Sequence, residues 1–342
     1  MATWNFLIGC TKKSAGCRHC YAIRQAWRMM HNPNPKIATK FEGTVHKDSK
    51  GELNWTGRIN FDDDTLAVPL KWRLPRRIFV NSLSDLFHPN VQDAWIDAAF
   101  AVMALCPQHT FQILTKHPDR AAAYFKDIEG RMDAIGSQAY DRFDVMFSGD
   151  ATTDDFVQFG LPLPNVQILT SVEDQPSADE RIPWLMKIPA AVRGISAEPL
   201  LGPINLAQAG LEIRMRDLNE PDEVNLNWVI AGGESGPSAR PSHPDWFRDL
   251  RDQCIAAEIP FFFKQWGAWS NEGECDDPCG RCVMALRSWN GTAWRGSELT
   301  GTDWQSGSHL TGALQLHPVG KKAAGRLLDG VEWNQYPAIA EV

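Results

Sequence analysis

Asn165-Val166-Gln167-Ile168-Leu169-Thr170-Ser171-Val172-Glu173-Asp174 is the stretch that decides how this chain folds. A run of apolar and β-branched residues ends in a serine, a glutamate and an aspartate. A helical pattern follows over 176–188, opening with Pro176. Near-continuous apolar runs are what strands buried on both faces require. Proline near a helix start costs nothing, because the first N–H groups have no intrahelical partner. Strand followed by helix is one parallel β/α unit.

The unit recurs in both directions along the chain. Strand-like runs lie at Trp4–Ile8, Arg77–Ser82, Thr110–Lys116, Ala191–Ser196, Leu226–Gly232 and Pro260–Gln265. Helical patterns lie at Val91–Leu105 and at 243–258, where Trp246, Leu250 and Cys254 fall at i, i+4 and i+8. Strands alternating with helices predict an α/β fold, a TIM-like (β/α) barrel that is complete or partial. A doubly wound open sheet is the alternative. The barrel is expected over 1–269, with an Asp- and Gly-rich excursion at 121–162. Residues 270–315 differ in composition, with Trp289, Trp294 and Trp304 spaced like a small hairpin array, and predict an inserted subdomain. The tail, 316–342, is expected to return to helix near Val319–Leu328 and to pack on the barrel.

The chain has 342 residues, 43% of them hydrophobic and 22% charged, enough for a substantial core in one or two domains. No apolar run approaches the length of a membrane span, and the N-terminus lacks a signal-peptide pattern. The expected compartment is the cytoplasm, where thiols stay reduced. Eight cysteines there point to metal sites and core packing rather than disulfides. A net charge of −8 argues against a dedicated nonspecific DNA binder. It leaves room for a local basic patch, Lys71-Trp72-Arg73-Leu74-Pro75-Arg76-Arg77, which equally suits a solvated turn before a strand.

Almost every strand ends in polar residues: Asn81 to Asp85, Thr115-Lys116, Ser171 to Glu173, Ser196-Ala197-Glu198, Gly232-Gly233-Glu234 and Lys264-Gln265. In a β/α barrel the active site lies at the C-terminal ends of the strands. Each polar end alone equally suits a strand-end hydrogen bond; together around one rim they predict a shared site. Lys264 follows three phenylalanines, so an inward orientation would desolvate it and demand a carboxylate partner.

The first strand-like run leads into Gly9-Cys10-Thr11-Lys12-Lys13-Ser14-Ala15-Gly16-Cys17-Arg18-His19-Cys20-Tyr21, spaced C-x6-C-x2-C. A structural zinc site wants four protein ligands. Three thiolates leave a position open, as suits a [4Fe–4S] cluster with one iron free for a small molecule. A second trio, Cys275, Cys279 and Cys282, is spaced C-x3-C-x2-C. It lies beyond the last barrel strand and suits an auxiliary iron–sulfur cluster or a small zinc site, with His309 available to complete it. Cys106 ends an apolar helix, Cys254 lies on a helix's apolar face, and both are expected in the core.

Matching stretches run almost the whole length: Thr3-Trp4-Asn5, Gly9-Cys10-Thr11-Lys12, Gly16-Cys17-Arg18-His19-Cys20-Tyr21-Ala22, Asp85-Leu86-Phe87-His88, Ser171-Val172-Glu173-Asp174-Gln175, Glu198-Pro199-Leu200-Leu201-Gly202-Pro203, Gly232-Gly233-Glu234-Ser235-Gly236 and Phe262-Phe263-Lys264-Gln265-Trp266-Gly267. On these the chain resembles the phage-associated three-cysteine-motif family, catalogued as phage proteins of unknown function and similar to radical S-adenosylmethionine enzymes. The resemblance implies that Cys10, Cys17 and Cys20 hold three irons of a [4Fe–4S] cluster and that adenosylmethionine chelates the fourth. It implies reductive cleavage of adenosylmethionine and hydrogen abstraction from a substrate, with a modified nucleobase in phage DNA, or a nucleotide, as the analogy. Asn81, Lys116, Ser171, Glu173, Gly232, Gly233 and Glu234 would bind the cofactor, and Asp85, Glu198 and Lys264 would serve catalysis. A flavodoxin- or ferredoxin-type electron donor and the host cytoplasm are implied with it. The chain departs from that superfamily's usual C-x3-C-x2-C spacing in its longer first gap, and His19 stands before the third cysteine. The alternative is a zinc-stabilised nucleic-acid-binding or processing phage protein that uses the Lys71–Arg77 patch.

Overall fold

The apolar runs become strands that pair side by side in the order in which they occur. Seven strands form one parallel sheet: β1 (Ala2–Trp4), β2 (Arg77–Val80), β3 (Thr110–Thr115), β4 (Val166–Ser171), β5 (Val192–Ala197), β6 (Trp228–Gly232) and β7 (Phe261–Gln265). The computed structural model describes residues 2–145, 147–148, 157–158, 160–210, 226–270, 283–285 and 314–338. Sequential order leaves no switch point, which removes the doubly wound alternative. Among the described strands of this sheet, β1 has only β2 as a neighbour and β7 only β6, so β1 and β7 do not meet. The sheet is therefore a curled half-barrel, a partial TIM-like fold.

Six helices accompany it: α1 (Tyr21–Met30) packs on the Val45–Lys47/Leu53–Trp55 hairpin in a second apolar cluster, while α2 (Asp93–Ala104), α3 (Pro118–Tyr124), α4 (Ile128–Phe143), α5 (Gln175–Leu185) and α6 (Pro244–Ala256) share the main cluster with the strands. All six residues of β4 are buried. Val166 and Ile168 belong to the main apolar cluster, with Phe100, Phe111, Ile182 and Phe247. Gln167 lies on the other face by the two-residue strand period, and there it accepts a hydrogen bond from Gln112 on β3 at 3.0 Å. Each large apolar side chain so buried contributes about 1.5–3 kcal/mol. Cys106 and Cys254 are fully buried in this cluster, as expected. Within the 121–162 excursion, α4 packs on α2, and α3 packs on α5.

Two expectations are revised. Trp4–Ile8 is not one strand. β1 ends at Trp4, and Leu7–Ile8 turns away to pair antiparallel with Asn60–Phe61. Asn81 holds that break: its side-chain oxygen accepts from Leu7 N at 3.1 Å, and its own N–H donates to Trp4 O at 2.8 Å. Among its described residues the tail is helical only over Lys321–Ala324. Beyond it the chain runs along β7, where Phe263 N donates to Trp333 O at 3.0 Å and Gln335 N to Phe261 O at 3.2 Å. An open sheet edge offers unpaired backbone groups, and this segment covers them. Tyr336 then packs against Trp228 and Phe262 and beneath the Arg77 guanidinium, near the N-terminal ends of β6, β7 and β2. Of 270–315, the described parts are Ser270, Val283–Ala285 and the start of Leu314–Pro318. Trp269–Ser270 and Val283–Ala285 pair antiparallel with Leu314–Pro318. Cys275, Cys279, Cys282, Trp289, Trp294, Trp304 and His309 lie outside the described residues.

Candidate functional site at the C-terminal rim

The cysteine loop leaves the Leu7–Ile8 strand and crosses the mouth of the half-barrel. It is anchored at three places. Near β2, Gly9 N donates to Leu83 O at 3.1 Å, and Thr11 Oγ1 lies 2.9 Å from His88 Nε2. At the end of β4, Ser14 Oγ donates to Glu173 Oε1 at 2.8 Å. At the end of β6, His19 Nδ1 lies 3.4 Å from Glu234 Oε1. One segment thus brings Cys10, Cys17 and Cys20 onto the rim where β2 to β7 end.

Behind the loop is a closed ion network. Glu173 is 1% exposed, and its carboxylate accepts from Lys116 Nζ, from Ser14 Oγ and, at 3.0 Å, from Arg181 Nη1. Arg181, itself buried on α5, also donates to Ser171 O at 2.7 Å. Burial opposes the Glu173 charge, but Lys116 and Arg181 outweigh it and hold the carboxyl below the ordinary glutamate range. Asp174 is spent on a capping box, accepting from Ser177 N at 3.0 Å while Ser177 Oγ accepts from Asp174 N.

The three thiols have different environments. Burial, then Asp85 and the other two cysteines, push the Cys10 thiol up. Burial also raises Cys20, despite the opposing N–H groups of Ala22 and Ile23 in the first turn of α1. At Cys17 burial is outweighed by the Lys116 ammonium and by hydrogen bonds from Ser14 and Lys13, so its pKa falls below the usual thiol value. All three are free and partly buried. Among the described residues no three His, Cys, Asp or Glu side chains converge as a single ion would require. The three thiols are soft donors carried by one loop, and the charge of Cys17 bears on both Cys10 and Cys20.

The remaining rim residues fall into two groups. Asp85 is buried and fully used: it accepts from Thr115 Oγ1 at 2.7 Å, Lys116 N at 2.8 Å and Phe87 N at 3.0 Å. Asn81 fastens β1 to the 81–85 turn. Glu234 takes both guanidinium arms and the backbone N–H of Arg240, which hold its carboxyl low against burial. Packing requires glycine at 233, where a Cβ would lie 1.9 Å from the backbone oxygen Trp266 O; at Gly232 a Cβ would meet only the movable Glu198 carboxylate, at 2.6 Å. Lys264 and Glu198 form the open group. Lys264 is not desolvated as its sequence context suggested. Its side chain is 52% exposed and lies 3.1 Å from Glu198. The sequence reading missed Ser14, Arg181 and Arg240; a lone arginine on the apolar face of the 176–188 helix was the available signal for Arg181. The basic run Lys71–Arg77 enters β2 at its N-terminal end, opposite the cysteines.

These features define a class: a parallel β/α half-barrel with a three-thiol loop laid across its C-terminal rim. The chain belongs to the family described as "Protein of unknown function (DUF5131)", which matches residues 1–337. No curated protein matches the chain, and no solved structure matches it. Among the described residues no helix is long and apolar enough to cross a membrane.

Proposed function

We propose that the chain is a radical S-adenosylmethionine enzyme in which Cys10, Cys17 and Cys20 hold a [4Fe–4S] cluster. The observation that supports this most is the placement of three thiols in one loop on the rim of a half-barrel, with Cys17 biased toward the thiolate by Lys116. The chemistry such a cofactor pair supplies is reductive cleavage of adenosylmethionine and hydrogen abstraction from a bound substrate. The chain's own contribution is position and shelter. Glu173, Lys116 and Arg181 fix the loop from behind. The Arg240–Glu234 pair sets the turn after β6, and Lys264 with Glu198 offers an accessible acid–base pair on the open mouth. An electron donor of flavodoxin or ferredoxin type belongs to this reading. A zinc-stabilised nucleic-acid protein is the second reading, but its basic patch lies on the far rim from the cysteines.

Anaerobic reconstitution with iron and sulfide, then incubation with adenosylmethionine and dithionite, tests the proposal. Brown protein that forms 5′-deoxyadenosine, and loses both properties when the trio is changed to alanine, is the expected result. Protein that stays colourless and retains only zinc sinks it.

A further inference from the structure

Next to the cysteine loop a groove of about 420 Å³ is lined by His19, Tyr21, Arg24, Gln25, Arg28 and the 235–238 turn. Tyr21, Arg24, Gln25 and Arg28 form one stripe of α1, spaced i, i+3, i+4 and i+7, while Ala22, Ile23 and Ala26 face the protein. Opposite stand Ser235, Gly236, Pro237 and Ser238, directly after Glu234. No aspartate or glutamate lines the groove, in a chain whose net charge is −8. Both arginines are exposed and make no ion pair among the described residues. Glu234, the nearest carboxylate on the turn, is already occupied by Arg240.

Two free guanidiniums four residues apart suit a phosphate, which takes charge-assisted, paired N–H bonds. The Tyr21 ring, 61% exposed, offers a face for a base, and the serine hydroxyls add donors. The volume suits a small molecule rather than a long strand. We propose that this groove binds a 5′-nucleotide, with Arg24 and Arg28 on its phosphate and Tyr21 against its base. Binding needs no metal. Only the groove's service as the substrate pocket rests on the function proposed above.

Titration of metal-free protein with ribo- and deoxyribonucleoside 5′-monophosphates, the parent nucleosides, inorganic phosphate, a single-stranded oligonucleotide and adenosylmethionine tests this. At least one monophosphate should bind about tenfold or more tightly than its nucleoside, as loss of a charge-assisted pair predicts. The double variant Arg24→Gln/Arg28→Gln should lose that binding while melting at the wild-type temperature. Arg73→Gln, on the opposite rim, should keep it. Equal binding of nucleoside and nucleotide, or undiminished binding in the double variant, overturns the proposal. So does binding of the oligonucleotide alone, or of adenosylmethionine alone, the latter assigning the groove to the cofactor. Because the readout is equilibrium binding, a failure to form 5′-deoxyadenosine leaves it standing, and the reverse also holds.

Discussion

Ser14 donates its hydroxyl to Glu173 Oε1 at 2.8 Å, joining the cysteine loop to the end of β4 across 159 residues of sequence. Lys116 reaches both groups, donating to Ser14 Oγ at 2.7 Å and to Glu173. A buried carboxylate between two cations therefore sets where Cys17 sits. Removing one member of such a buried set leaves uncompensated charge, which costs about 3–5 kcal/mol. Glu173→Ala should lower stability by that order in urea unfolding, and a midpoint unchanged from wild type would show the network to be idle.

Glu173 also predicts an acid limit. Its carboxyl is held low because Lys116 and Arg181 outweigh burial. Stability from a lowered carboxyl is complete above the unfolded value, about 4.3, and is lost as pH falls through the folded value. Thermal melts from about pH 6 down to 3 should show this decline, and Glu173→Gln should flatten it relative to wild type.

The thiols should react in a fixed order. In metal-free protein near neutral pH, iodoacetamide should label Cys17 before Cys10 or Cys20, since only Cys17 is shifted toward the thiolate. Lys116→Met should slow Cys17 and leave the other two little changed. Peptide mass spectrometry reads the order, and equal rates at all three would refute the assigned environments.

Asp85 and Lys264 should separate structure from activity. Asp85→Asn places a donor against backbone and hydroxyl donors and should cost about 1–3 kcal/mol. Lys264→Met loses only a half-exposed pair with Glu198, worth less than about 1 kcal/mol. Lys264→Met should therefore melt normally, and under the function proposed above it should lose 5′-deoxyadenosine-coupled substrate turnover. Normal turnover in Lys264→Met would remove it from the site.

Gly233→Ala should destabilise by about 1–3 kcal/mol or more, as overpacking does, because its Cβ would meet Trp266 O at 1.9 Å. A melt within a degree of wild type would show that the β6–β7 approach relaxes freely.

The repeating strand-and-helix pattern was legible because strands buried on both faces must be apolar throughout. That gave all seven strand positions to within a few residues and the rim on which polar ends gather. Asn81, Asp85, Gly232 and Gly233 were legible as rim residues but not by role. Their partners lie on neighbouring strands: Leu7 for Asn81, Thr115 for Asp85 and Trp266 for Gly233. A residue type read alone does not distinguish a packing requirement from a ligand contact.

By itself the sequence determined the parallel β/α architecture, the cysteine spacing and the burial of Cys106 and Cys254, since each follows from local periodicity and composition. The tertiary structure decided that the barrel stays open, because closure depends on whether β1 and β7 meet, and here the tail pairs with β7 instead. It also decided which rim charges are spent. Glu173, Asp85 and Glu234 are held by partners distant in sequence or folded back by a turn, while Arg24 and Arg28 are exposed and have no ion pair among the described residues. Charge balance in a site is a property of who is near whom, and only folding sets those distances.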